Sequence, residues 1–136
     1  MAKLGKSLGK ISTNLDKKVD KGIVYVLQVD FEDKTLVKIG VTSRNKVEDR
    51  VVEILTEIWK RYRYFPKTYV ARYKQILNPY AFEKMLHDYF DHRRYETEHK
   101  FGGSTEFFDI DVEEVKATYD TIYDILNTEP DNEDKS

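Results

Sequence analysis

Gly22-Ile23-Val24-Tyr25-Val26-Leu27 and Leu36-Val37-Lys38-Ile39-Gly40-Val41 are the two stretches on which the reading of the fold turns. Both are rich in β-branched and aliphatic residues, which suit a pleated, half-buried surface. Between them the polar run Glu32-Asp33-Lys34-Thr35 breaks the pattern. Two such runs around a polar break predict a β-hairpin, and that hairpin places a tyrosine and a lysine on one small sheet.

Working outward, Val51, Ile54, Leu55, Ile58 and Trp59 recur at helical intervals between the polar Thr42-Ser43-Arg44-Asn45 segment and Pro66, which predicts one amphipathic helix. Thr68-Tyr69-Val70-Ala71-Arg72-Tyr73 has strand composition. Asn78-Pro79 then supplies an N-cap and a first-turn proline for a helix burying Phe82, Met85, Leu86, Tyr89 and Phe90. The opposite side of that helix carries Tyr80, Glu83 and His87. After the Gly102-Gly103-Ser104 break comes Glu106-Phe107-Phe108, and Asp111 with Glu114 forms a capping box for a last helix with Val112, Val115, Tyr119, Ile122 and Leu126 inward. The order is ββαβα, a short strand or turn, then α. It describes an α/β (α+β) domain on a small central antiparallel three-stranded sheet flanked by helices.

A chain of 136 residues with 40% apolar residues has room for one domain with one modest core. No apolar run is long enough to cross a bilayer, and the N-terminal stretch lacks the apolar centre of a signal peptide, so a cytoplasmic location is expected. With no cysteine, the chain has no disulfide framework, thiolate zinc site or cysteine nucleophile, which leaves oxygen ligands, histidines and hydroxyls for any chemistry. The net charge of -2 hides an asymmetry: Lys3, Lys6, Lys10, Lys17, Lys18 and Lys21 stand against Asp16 and Asp20 at one end, and Glu129, Asp131, Glu133 and Asp134 against Lys135 at the other. This divides the chain into a basic N-terminal arm over 1–21, a folded domain over 22–126 and an acidic tail over 127–136 that is expected to be disordered.

Arg50 falls on the first helix and Glu83 on the second, so with Tyr25 and Lys38 one surface collects a phenol, an amine, a guanidinium and a carboxylate. Such a set suits cleavage of a phosphodiester with a bound metal ion. The two hairpin segments, with Arg50, the Glu83-x-x-x-His87 helix and Glu106-Phe107-Phe108 in that order, resemble the GIY-YIG nucleases, in the variant with Lys-Ile-Gly common in phages and large DNA viruses. The resemblance covers roughly Gly22 to Ile110. Lys38 stands where the second motif tyrosine would be, and Gly22 sits one position further from Tyr25 than the motif name implies.

That resemblance implies a set of roles. Tyr25 activates or orients the attacking water. Lys38 stabilises phenolate or phosphate charge beside it, a solvent-facing hairpin lysine being the plain alternative. Arg50 grips the non-bridging oxygens of the scissile phosphate, with Arg44 as rival. Glu83 is the single carboxylate holding Mg²⁺ (or Mn²⁺), and His87 binds phosphate, protonates the leaving oxygen or caps the site. Glu106 is read as tying the sheet or a neighbouring loop to the core, not as catalytic.

The segment Trp59-Lys60-Arg61-Tyr62-Arg63-Tyr64-Phe65-Pro66-Lys67 interleaves cations with aromatics. Its aromatics are assigned mainly to packing, and its cations Lys60, Arg61, Arg63 and Lys67, with Arg44, Lys46 and Arg72, to nucleic-acid phosphate contact. The implied activity is metal-dependent DNA endonuclease chemistry in a single-metal site: nicking, or double-strand cleavage by a homodimer, with RNA not excluded and the host cytoplasm as the location if the source is viral. The alternative is a non-catalytic nucleic-acid-binding or regulatory module on the same fold.

Overall fold

The computed structural model describes residues 21–127. Residues 1–20 of the arm and 128–136 of the tail lie outside the described residues, and so do the expectations placed on them. The hairpin consists of β1 (Lys21–Phe31) and β2 (Lys34–Thr42), antiparallel with Tyr25 opposite Gly40 and Leu27 opposite Lys38. Its turn is made by Glu32 at φ 53° and Asp33 at φ 62°, the double left-handed geometry whose twist matches that of the flanking strands. The Glu32 carboxylate accepts from the Tyr62 and Tyr95 hydroxyls and from the Glu98 amide, which pins the turn to the segment that later returns to the sheet.

After the hairpin come α1 (Val47–Tyr62), β3 (Thr68–Leu77) and α2 (Pro79–Tyr89), then a 3₁₀ turn at Asp91–Arg93, a second at Ser104–Glu106, β4 (Phe107–Phe108) and α3 (Val112–Leu126). The sheet runs β3-β1-β2-β4 and is antiparallel throughout. It therefore has four strands where three were expected. The fourth is two residues long, Phe107 pairing Lys38 and Phe108 pairing Val37, too short to show a strand period in sequence.

Because side chains alternate across a strand, the sheet buries two separate faces. On one, Ile23, Tyr25, Leu27, Val29, Phe31 and Leu36 pack under Val47, Ile54 and Ile58 of α1, with Phe101 and Phe107 beside them. On the other, Val24, Val26, Val37 and Ile39 meet Phe82 and Leu86 of α2, Val115 and Tyr119 of α3, and Phe108. The Tyr119 hydroxyl donates to the Val24 carbonyl at 2.6 Å, fixing α3 against the central strand.

Several local expectations are modified. Asn78 occupies the N-cap position before Pro79 but adopts a left-handed φ of 61°, and its side chain makes no cap bond. Its Oδ1 is instead buried without a hydrogen-bond partner. Asp111 does cap α3, accepting from the Glu113 amide at 2.9 Å. Of the expected inward stripes, Tyr89 and Leu126 face solvent. Trp59 and Phe65, assigned to packing, are 38% and 63% exposed and stack on each other with ring centroids 5.1 Å apart, whereas Tyr62 turns inward onto Phe31.

Candidate functional site

β4 covers β2 only at Val37 and Lys38. Beyond it, the Ile39 carbonyl accepts from His87 Nε2 at 2.8 Å. At this stretch of β2 the two faces of the sheet communicate, and here the structure brings together Tyr25, Lys38, Arg50, Glu83 and His87.

On the α1 side, the Tyr25 hydroxyl lies over Gly40, its cross-strand partner. A Cβ at Gly40 would approach Tyr25 Cζ to 2.6 Å, so only glycine leaves room for the phenol. Arg50, one turn into α1, directs Nε to that hydroxyl at 3.4 Å, and its other arm meets Glu53 Oε1 at 3.2 Å. The more exposed Arg44 contacts the same Glu53 carboxylate, which the two guanidiniums hold well below the usual carboxylate range, Arg44 contributing most. Arg50 thus sits in the cluster, and Arg44 adjoins it through a shared anion.

Lys38 is 0% exposed. Its ammonium lies 5.6 Å from the Tyr25 ring centroid and 5.7 Å from that of Phe107, and it forms an ion pair with Glu106. The solvent-facing alternative for this lysine is therefore excluded by its burial.

On the other side α2 presents Glu83 and, one turn later, His87. Glu83 is pushed up to about 7, first by burial and then by the charge and hydrogen bond of Glu106, with Lys38 opposing. Two carboxyls so placed cannot both ionise without a counter-charge. Burial holds His87 below the usual imidazole range, so its Nε2–H donates to Ile39 as a neutral ring. The 3.7 Å separation of His87 Nε2 from Glu83 Oε2 is accordingly not an ion pair.

Sequence reasoning leaves Glu106 outside the site, yet it pairs with Lys38 and its charge acts on Glu83. The signal available was its place three residues after the Gly102-Gly103 break, just ahead of Phe107-Phe108. Among the described residues no group of three or more His, Asp or Glu side chains converges as a metal cage.

The cations expected on a nucleic-acid surface are dispersed. Lys60 meets Glu57 at 3.2 Å, Arg61 donates to the Lys100 carbonyl, Arg63 lies 5.8 Å from the Trp59 ring, and Lys46 and Lys67 are exposed. Arg72 forks onto Asp120 with two bonds of 2.9 Å, joining β3 to α3. No helix among the described residues is long and apolar enough to cross a membrane.

Fold and site together define an α+β domain with a compact polar cluster where an edge of its antiparallel sheet is left open. Residues 22–123 match the T5orf172 domain, and the chain belongs to that family. This corrects the resemblance to the GIY-YIG nucleases, since the matched family is a different one. The resemblance rests on two short strand segments and a few single residues in order, one of them a lysine in place of the motif tyrosine, and such scattered positions do not outweigh a match over residues 22–123. Membership is compatible with a nucleic-acid-related role. No curated protein and no solved structure matches the chain.

Proposed function

We propose that the protein is a divalent-cation-dependent DNA endonuclease that hydrolyses phosphodiester bonds at the Tyr25–Arg50–Glu83 cluster. The observation that carries this reading is the convergence on one stretch of β2 of a phenol, a guanidinium and a carboxyl group that is hard to ionise. Tyr25 orients the attacking water, its phenol accepting from Arg50 with the Lys38 ammonium over its ring. Arg50 holds the non-bridging oxygens of the scissile phosphate through its planar fork. A phosphate entering here takes the place of Glu53 on that fork.

The donor set fits a hard cation. Glu83 offers carboxylate oxygens with no thiolate nearby, and a carboxyl pushed up to about 7 by burial and then by the charge of Glu106 gains from a positive charge beside it. Glu83 would hold Mg²⁺ or Mn²⁺, with water and phosphate completing the oxygens. When bound, such an ion supplies charge neutralisation at the leaving oxygen. His87, neutral and fixed to the Ile39 carbonyl, orients that side of the site. One cluster cuts one strand, so a nick is the simplest product and a double-strand break requires two copies or two binding events.

A second reading, a nucleic-acid-binding module without chemistry, is favoured by the ion pair that already occupies Lys38. Purified protein incubated with supercoiled DNA and Mg²⁺ separates the two. Nicking that is lost in both Glu83→Ala and Tyr25→Phe is expected, with folding retained because neither change touches the apolar stripe of α2 or the ring of Tyr25. Full activity in either variant would sink the assignment.

A further inference from the structure

A charged side chain removed from water is stable only beside an opposite charge. Lys38 is such a side chain, and the carboxylate that meets it is Glu106, from sixty-eight residues further along. Local backbone is shaped around that contact. Gly103 takes φ 86°, and a Cβ there would fall 3.0 Å from Lys38 Nζ. The turn it opens is held by Ser104 N–H on the Phe101 carbonyl at 3.0 Å and Glu106 N–H on the Gly103 carbonyl at 3.1 Å. The next residue, Phe107, pairs with Lys38 itself in the sheet. A Cβ at Gly40 would lie 3.1 Å from Glu106 Oε1, so the hollow that admits the Tyr25 phenol also admits this carboxylate. The charge of the same carboxylate also acts on Glu83 and, after burial, helps to raise it.

We infer that Glu106 is a positioning residue that clamps the Lys38 ammonium beside Tyr25, so that ammonium and phenol act as one unit. It touches no reacting atom and works through Lys38. The inference rests on the nuclease reading above.

Single-turnover cleavage at saturating DNA and Mg²⁺ tests it on the full chain. Glu106→Gln is expected to slow cleavage at least about thirtyfold, with the Kd for DNA within about twofold, because the loss lies in the arrangement of the site and not in binding. Residues acting as one unit are non-additive. Adding Glu106→Gln to Lys38→Met should therefore cost little more than Lys38→Met alone, whereas adding it to Arg50→Ala should multiply the losses. A wild-type rate for Glu106→Gln, or full multiplicativity with Lys38→Met, overturns the inference. Should Glu106→Gln fail to fold, Glu106→Asp keeps the charge on a shorter stem, and a wild-type rate in that variant overturns it equally.

Thermal melting of a second cycle, with Glu106→Leu in place of Glu106→Gln, needs no cleavage. Lys38→Met/Glu106→Leu should melt no lower than either single variant, and a drop equal to the sum of the two would refute the pairing. Tyr25→Phe keeps the outcomes apart: if it cleaves normally, or the wild type does not cleave, the nuclease reading falls and the melting cycle decides the clamp. If Tyr25→Phe is dead while Glu106→Gln is normal, only the clamp falls.

Discussion

A carboxyl on a helix facing water ionises near 4.5 and stays charged through the neutral range. Glu83, buried against Glu106, is pushed up to about 7. The sign of its effect on stability follows from linkage. Between about 4.5 and 7 the folded state binds more protons at this position than the unfolded state, so in metal-free buffer stability falls as pH rises through that window and levels off above it. A shift of that size corresponds to an upper bound on the order of 3 kcal/mol. Glu83→Gln is expected to flatten this slope and to melt above the wild type at alkaline pH while losing cleavage, which chemical denaturation across pH would show. An equal slope in both proteins would mean that the carboxyl titrates normally. The two arginines separate at the same scale. Arg50 reaches the Tyr25 hydroxyl, and Arg44 reaches only as far as their shared Glu53. Arg50→Ala should lower single-turnover cleavage at least about a hundredfold, as removal of one transition-state charge interaction does. Arg44→Ala should act mainly on DNA affinity, and the reverse ranking would move the catalytic role to Arg44.

β2 is the element on which the cluster is assembled. It supplies Lys38 and the Ile39 carbonyl from one strand, and Gly40 as the floor under Tyr25. A methyl group at Gly40 would meet the Tyr25 ring at 2.6 Å with the strand pairing on both sides of β1 in place, so the ring has to leave. Gly40→Ala is therefore expected to abolish cleavage and to destabilise the fold by about 1–3 kcal/mol, the usual cost of overpacking. Urea denaturation and a nicking assay check this together, and a stable, active Gly40→Ala would show that the phenol is not needed over that position. The helices bring their residues by ordinary periodicity. In α2, Phe82 and Leu86 point into the core and so place Glu83 and His87 along the adjoining side. The apolar repeat of α1 runs from Val51 to Trp59, but the helix itself begins earlier and ends later, at Val47 and Tyr62, since its ends depend on turns and not on that repeat.

For the molecule as a whole, charge distribution governs how DNA would approach. Residues 1–21 hold six lysines against two aspartates. If this stretch tracks the phosphate backbone, deleting residues 1–20 should weaken binding to all sequences alike and reduce the slope of log affinity against log salt by roughly one unit for each phosphate no longer neutralised. Cleavage at saturating DNA should persist. An unchanged slope in a salt titration would assign the arm to another task. The hairpin, the three helices of the described residues and their order were legible along the chain, because each rests on residues near one another: alternation in Gly22–Leu27, the 3.6-residue repeat around Ile54, and a cap such as Asp111. Tyr25, Arg50 and Glu83 were nameable as candidates for the same reason, each standing at a definable place on its element. The pairing of Phe107 with Lys38, the burial of that lysine and its ion pair with Glu106 were not legible. They join residues nearly seventy positions apart through a two-residue strand and a glycine at positive φ. Local propensity carries no information about such a pairing, because the free energy that selects it, desolvation of Lys38 beside Glu106, exists only once the sheet has closed around both.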